Sequence, residues 1–244
     1  MDLRIERQSL MRSLSHVQSV VERRNTIPIL SNVLIECEGG AVTLTATDMD
    51  LTITETTGAS VVQPGALTAP AHMLFDIVRK LPDGVEVGLT SSGDTGRMTL
   101  MAGKARFELS TLPREDYPSL DGAPMPISFE IPSEELKTLI ERTRFAISTE
   151  ETRYYLNGIY LHAMGEGASA VLRAVATDGH RLARFETSLP TGATEMPGII
   201  VPRKTVGELA KLLDGGDENV RVSMSDSRIE FRFSDVPLSS KLLD

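Results

Sequence analysis

The sequence predicts an α+β protein made of one structural unit used twice, with amphipathic helices packed on one face of antiparallel sheets. Three observations lead there. Segments of the N-terminal half recur in the same order in the C-terminal half. Each half carries two apolar patterns at helical spacing. Between them lie many short strand-like runs, often punctuated by Gly- or Asp-rich turns.

The repeat comes first because it organises everything else. IERQSLMRSL (5–14) aligns with IPSEELKTLI (131–140), and LSNVLIEC (30–37) with LNGIYLHA (156–163), both at an offset of 126. TATDMDL (45–51) aligns with VATDGHR (175–181) at 130, and APAHMLFDIVRKLPDG (69–84) with VPRKTVGELAKLLDGG (201–216) at 132. FELSTLP (107–113) aligns with PLSSKLL (237–243) at 130. Small drifts at turns with order preserved describe a duplicated domain with variable loops. The Pro-rich stretch DGAPMP (121–126) marks the boundary, giving domains 1–121 and 127–244.

Leu10, Leu14, Val17 and Val21 predict a first helix near residues 8–21. Its repeat carries Leu136, Leu139 and Ile140, with Ser133 as N-cap and Glu134 and Glu135 as an acidic first turn. Leu74, Ile77, Val78 and Leu81 predict the second helix, mirrored by Val206, Leu209, Ala210 and Leu213. Strands are predicted at 41–47, 50–54 and 98–101, then at 170–176, 220–222 and 229–233. Gly39-Gly40, Asp83-Gly84 and Gly215-Gly216 supply turns.

Composition narrows the setting. The 244 residues suffice for two domains with separate cores. The opening MDLRIERQ is charged where an export signal would be apolar, and no run approaches a membrane span of roughly 18 residues. A lone cysteine, Cys37, suits a reducing cytosol, so a cytoplasmic location is expected.

A net charge of −9 argues against DNA binding until the charges are placed. The helical segments 7–24, 71–81, 133–148 and 203–213 hold 12 of the 25 basic residues and six of the 34 acids. Their balance is +6, leaving −15 elsewhere. A cationic helical layer inside an acidic exterior attracts phosphate on one face only. No groove-reading motif accompanies it, so contact with the nucleic-acid backbone without base readout is expected.

Several strings go beyond architecture: IPILSN (27–32), FELSTLPREDYP (107–118), RYYLNG (153–158), VATDGHRLA (175–183), VPRK (201–204) and LLDGGD (212–217). Together they resemble the beta subunit of bacterial DNA polymerase III, along the whole chain. The resemblance implies a DNA-clamp fold: repeated domains with antiparallel sheets outside and helices lining a concave inner face. It further implies a homodimer ring around duplex DNA, three domains per subunit, of which this sequence holds two and the second stops short. Processivity for the replicative polymerase, without catalysis and without cofactor or metal, would follow.

For DNA contact the resemblance points to Arg24, Arg153, Tyr154, Tyr155, Arg203 and Lys204; the charge map adds Arg12, Arg79 and Lys80. For short linear peptides from the polymerase III alpha subunit, the clamp loader and other polymerases, it points to a cleft at Leu156, Thr177, Gly179, His180, Arg181 and Leu182. Read without the family, Asp178-Gly179 is a turn, His180 a strand residue, and at least one of Tyr154 and Tyr155 a core residue.

The competing functions are a duplicated peptide-binding scaffold without a DNA role, and a hydrolase using Asp178 and His180. The enzymatic one lacks support: there is no HExxH, CxxC, GxxxxGK[ST] or GxSxG. GEGASA (165–170) fits a dinucleotide fingerprint only formally, since VLRAVA follows as a strand and a hairpin is the better expectation.

Overall fold

The computed structural model describes residues 1–91, 96–118, 124–214, 219–234 and 236–243, and divides into two units, Met1–Leu120 and Asp121–Asp244. Residues 121–123 of the expected boundary, the Gly215-Gly216 turn and Asp244 lie outside the described residues.

Unit 1 runs β1 (Asp2–Glu6), α1 (Arg7–Val17), β2 (Asn32–Glu38), β3 (Ala41–Thr47), β4 (Leu51–Gly58), β5 (Ser60–Gln63), β6 (Gly65–Pro70), α2 (Ala71–Lys80), β7 (Glu86–Thr90), β8 (Arg97–Ala102) and β9 (Ala105–Ser110). One antiparallel sheet has the order β5-β1-β7-β8-β9; the other is β6-β2-β3-β4. Helices α1 and α2 pack on each other, α1 over β3 and β4 and α2 over β2 and β6. Leu10, Leu14 and Val17 of α1 and Leu74 and Val78 of α2 are buried, as one apolar stripe per helix requires.

Unit 2 repeats this plan with β10 (Ile127–Pro132), α3 (Ser133–Glu141), β11 (Gly158–Met164), β12 (Val171–Thr177), β13 (Leu182–Ser188), β14 (Ile199–Pro202), α4 (Arg203–Leu213), β15 (Asn219–Met224), β16 (Arg228–Phe233) and β17 (Val236–Lys241). Its sheets are β10-β15-β16-β17 and β14-β11-β12-β13, with α3 and α4 packed together over the second. Phe231 of β16 lines one interior cavity with Leu136, Leu209 and Val201, so residues of both sheets face the same core.

Several expectations change in detail. Helix α1 stops at Val17; Val20 and Val21 are buried in the tight turn that follows, through Val20 N–H to Val17 O and Val21 N–H to Gln18 O. Apolar spacing could not separate a last helical turn from a buried 3₁₀-like one. Ser133 is the first helical residue and buried, not the cap. That place belongs to Pro132, with no side-chain cap hydrogen bond. Each of the four helices begins directly at a strand's end, three of them after a proline.

The last aligned pair is shifted by one residue. Arg97 pairs with Ser110, and Arg228 with Lys241, so Leu109 corresponds to the buried Ser240 instead of Ser239. A one-residue slip exchanges the two faces of a strand. Strand β5 has no repeat: residues 189–198 make turns instead. Within that stretch a Cβ at Gly192 would meet the Ser128 carbonyl at 2.8 Å, so the segment lies against β10. GEGASA does form the β11–β12 hairpin, with Gly165 at φ 88°. Among the described residues no helix is long and apolar enough to cross a membrane, and no group of His, Cys, Asp and Glu could hold a metal ion.

Candidate nucleic-acid and peptide interface

Ten of the twelve basic side chains of the helical segments fall into two sets. Four are spent on structure. The Arg7 guanidinium caps the end of α2, donating to the carbonyls of Val78 (3.1 Å) and Arg79 (2.9 Å) and pairing with Asp83. Arg79 pairs with Asp76 at 3.0 Å and lies 5.7 Å from the centroid of Phe75. Lys137 bonds Asp214 at 2.8 Å, joining α3 to the end of α4. Lys211 bonds Glu208 at 2.8 Å. In the second set, Arg12, Arg24, Lys80, Arg142, Arg144 and Arg203 are exposed, and none makes an ion pair among the described residues. The charge map therefore stands for about half of its members; Arg79, a candidate from it, is already occupied.

In unit 2 the candidates converge on one turn. Residues Glu151–Leu156 form 3₁₀ turns interrupted at Arg153. The turn is tied down by Ser148 N–H to Leu156 O (3.0 Å) and Asn157 N–H to Tyr154 O (2.9 Å). Arg203, the first residue of α4, donates its backbone N–H to Asn157 O at 2.8 Å, which brings the start of α4 beside the turn. Tyr154 and Tyr155 stand edge to face, 5.7 Å between centroids, and are 56% and 51% exposed. Neither is core, contrary to the reading made without the family.

Arg153 behaves differently from its neighbours. Its guanidinium is held by Glu150 through Nε–Oε2 at 2.9 Å and Nη2–Oε1 at 2.5 Å. Those bonds keep the Glu150 carboxyl below the usual carboxylate range and push the Arg153 guanidinium up. Its Nη1 also lies 2.8 Å from where a Cβ on Gly179 would be. The family resemblance assigned Arg153 to DNA and Gly179 to peptide; the fold places them side by side.

The hairpin between β12 and β13 supplies the remaining candidates. Asp178 Oδ1 accepts from the backbone N–H groups of His180 and Arg181, both at 3.0 Å, and Oδ2 accepts from Arg181 Nε at 2.9 Å. These backbone donors, with Arg181, hold the Asp178 carboxyl down at about 2. With both oxygens engaged, Asp178 is a turn former and is badly placed as a general base. Thr177 Oγ1 donates to Arg181 O (2.7 Å) and accepts from Gly179 N–H (3.1 Å). Gly179 sits at φ 89°, where a side chain is strained. His180 lies in this turn and not in a strand. Leu182 is 65% exposed, while Leu156 is half-buried. Arg181 also lies 5.6 Å from the Phe145 ring, itself exposed. Phe145 and Glu150 were missed by sequence reasoning, because nothing local ties either to the hairpin 30 residues on.

The duplicated arrangement of two helices over antiparallel sheets is a DNA-clamp fold. Two family models agree with it: the DNA polymerase III beta subunit N-terminal domain over residues 1–121, and the central domain of the same subunit over 130–244. The chain belongs to the DNA polymerase III beta subunit family. It is 50% identical over 244 residues to the beta sliding clamp of Caulobacter vibrioides, covering 100% of this chain and 66% of the relative. Against the beta sliding clamp of Escherichia coli K12 the identity is 41% over 249 residues, covering 100% and 65%. The crystal structure of the Caulobacter crescentus beta sliding clamp superposes with a TM-score of 0.98 at 50% identity, over 100% of this chain and 65% of that one. A Bartonella birtlesii clamp bound to griselimycin gives 0.96 at 48%, again over 100% and 65%. The chain thus spans about two-thirds of the length of these relatives.

Proposed function

We propose that this chain supplies two of the three domains of a DNA sliding clamp, a non-catalytic cytoplasmic ring that keeps a replicative polymerase on its template. The observation that carries this reading is the family membership across both units, with relatives that bear the name beta sliding clamp. The guanidinium groups of Arg12, Arg24 and Arg203, exposed and without an ion pair among the described residues, support it, since phosphate oxygens are their natural partners. Tyr154 and Tyr155, in the turn beside Arg203, add hydroxyls and ring faces, and Lys204 and Lys80 add charge. Contacts of this kind are loose, independent of sequence and screened by salt, so retention comes from topology: a homodimer ring closed around duplex DNA. This explains how a chain of net charge −9 serves DNA.

On the same reading the 177–182 hairpin with Leu156 forms part of a cleft for short linear peptides of the polymerase III alpha subunit, the clamp loader and other polymerases. Gly179 allows a close backbone approach, and Leu182 offers an apolar wall. The whole protein loaded on nicked circular DNA remains bound in salt that strips ordinary binders, and slides off after linearisation. Equal loss from circular and linear DNA would refute the topological mechanism. Charge reversal at Arg24, Arg203 and Lys204 lowers loading; unchanged loading favours a peptide scaffold without a DNA role.

A further inference from the structure

Unit 1 carries a buried carboxylate with no part in the function proposed above. Glu55 of β4, only 6% exposed, faces α1. Ser13 Oγ donates to its Oε1 at 3.0 Å, and His16 Nδ1 lies 2.6 Å from its Oε2. Both partners belong to α1. The His16 side chain is 28% exposed; its Nε2 makes no hydrogen bond among the described residues and reaches solvent. His16 follows Arg12 by four residues, so the two share one face of the helix. An imidazole is thus fixed at its inner nitrogen and presented at its outer one, on the face that carries an exposed guanidinium.

Unit 2 solves the same position differently. At the offset of 126, His16 corresponds to Arg142 and Ser13 to Leu139. Leu44 lies opposite Glu55 and Ala174 opposite Phe185, so Glu55 corresponds to Phe185. Arg142 is exposed and makes no ion pair among the described residues. A guanidinium is a donor at every nitrogen without help, and unit 2 has an apolar ring where unit 1 has the carboxylate. An imidazole needs its surroundings to hold a hydrogen on both ends. A bare carboxylate buried beside a neutral ring would be a charge served by dipoles alone, which burial penalises. A proton kept between Oε2 and Nδ1 removes that penalty. Whichever of the two atoms carries it, Nε2 is then the N–H end of the ring.

We infer that His16 is a further contact of unit 1 with the nucleic-acid backbone, its Nε2–H donating to a phosphate beside Arg12, and that Glu55 is the positioning residue that orients the ring and keeps that hydrogen outward. The inference rests on the DNA-clamp reading for its ligand, and on the Ser13–His16–Glu55 geometry for its residue. Unit 2 needs no such device, because Arg142 fills the equivalent place with a permanent donor.

The test uses the 244-residue chain, isotope-labelled at the side-chain nitrogens of His and Arg, near neutral pH and at low salt, with a short DNA duplex as probe. In the wild type the His16 Nε2 resonance is that of an N–H nitrogen, and it moves on titration together with the Nε signals of Arg12 and Arg24. In Glu55→Gln, which keeps the side-chain size and an acceptor for Ser13, Nε2 becomes a bare acceptor and stops responding, while Arg12 and Arg24 still move. His16→Gln loses about two- to tenfold in duplex affinity, the worth of one hydrogen bond. His16→Arg, which copies unit 2, retains the affinity, and adding Glu55→Gln to it costs nothing more; a merely structural carboxylate would weaken binding in both backgrounds. A bare Nε2 in the folded wild type overturns the inference, as does wild-type affinity in His16→Gln, which decides the matter if Glu55→Gln does not fold. A silent Nε2 beside responding Arg12 and Arg24 also overturns it and leaves the clamp reading standing. Silence of all three overturns both.

Discussion

The two units share one backbone plan, down to the bonds of one turn, and load it with different side chains. Around Thr47–Leu51 the face is roofed by Tyr117 and carries Thr–Thr contacts between strands, at 3.0 Å for Thr43–Thr56 and 3.2 Å for Thr45–Thr54. Around Thr177–Leu182, Tyr160 stacks on His162 (4.6 Å) and Leu182 is exposed. Duplicated geometry therefore fixes where a site can exist. The side chains carried on that frame decide its surface chemistry.

Four experiments break or sharpen this contrast. Phe231→Ala, which empties the core position joining both sheets of unit 2, costs about 3–5 kcal/mol. Calorimetry should record the loss, and amide exchange should rise first in β11, β12 and β16. An unchanged melting temperature would mean that unit 2 does not depend on this shared core.

The paired turns offer a reciprocal exchange. Met49→Gly relieves a left-handed backbone at an exposed position and stabilises by about 1 kcal/mol. Gly179→Ala adds strain at φ 89° and pushes a Cβ to 2.8 Å from the Arg153 guanidinium, so it destabilises by about the same amount. Denaturant melts of both variants decide it; shifts of the same sign would show that the two turns are not equivalent.

Tyr117→Phe keeps the roof and deletes the hydroxyl bond to Thr45 O. The expected cost is about 1 kcal/mol, measured by thermal unfolding. The smallest effect concerns pH. Asp178 is depressed from an ordinary 3.8 to about 2, so its contribution to the turn is complete above pH about 4 and fades as pH falls through about 2. Amide shifts of His180 and Arg181 should titrate with that low midpoint; a midpoint near 4 would mean that the backbone bonds to Asp178 are weak in solution.

Much of this was legible beforehand, for local reasons. Leu10, Leu14 and Val17 recur at helical spacing because a helix has one buried stripe, and Gly39-Gly40 turn the chain because both take positive φ. The repeat predicted that whatever 175–181 forms, 45–51 forms too, and the hydrogen bonds agree. Other features left no local trace. Glu55 is a buried carboxylate served by Ser13 Oγ (3.0 Å) and His16 Nδ1 (2.6 Å), partners 42 and 39 residues away. Ser133 looked like a cap because Ser often is one, yet a strand ending in proline led straight into the helix.

Taken alone, then, the sequence determined the duplicated α+β plan, the helix faces, the main hairpins and the family, since each is written in spacing and short strings. The tertiary structure alone decided which groups with the same chemistry are available. Arg7 is consumed by a carbonyl 71 residues away while Arg12 stays exposed, and Tyr117 is buried against one 72 residues away while Tyr154 and Tyr155 stand in solvent. Availability depends on partners that folding brings from distant parts of the chain, and spacing within a segment carries no record of them.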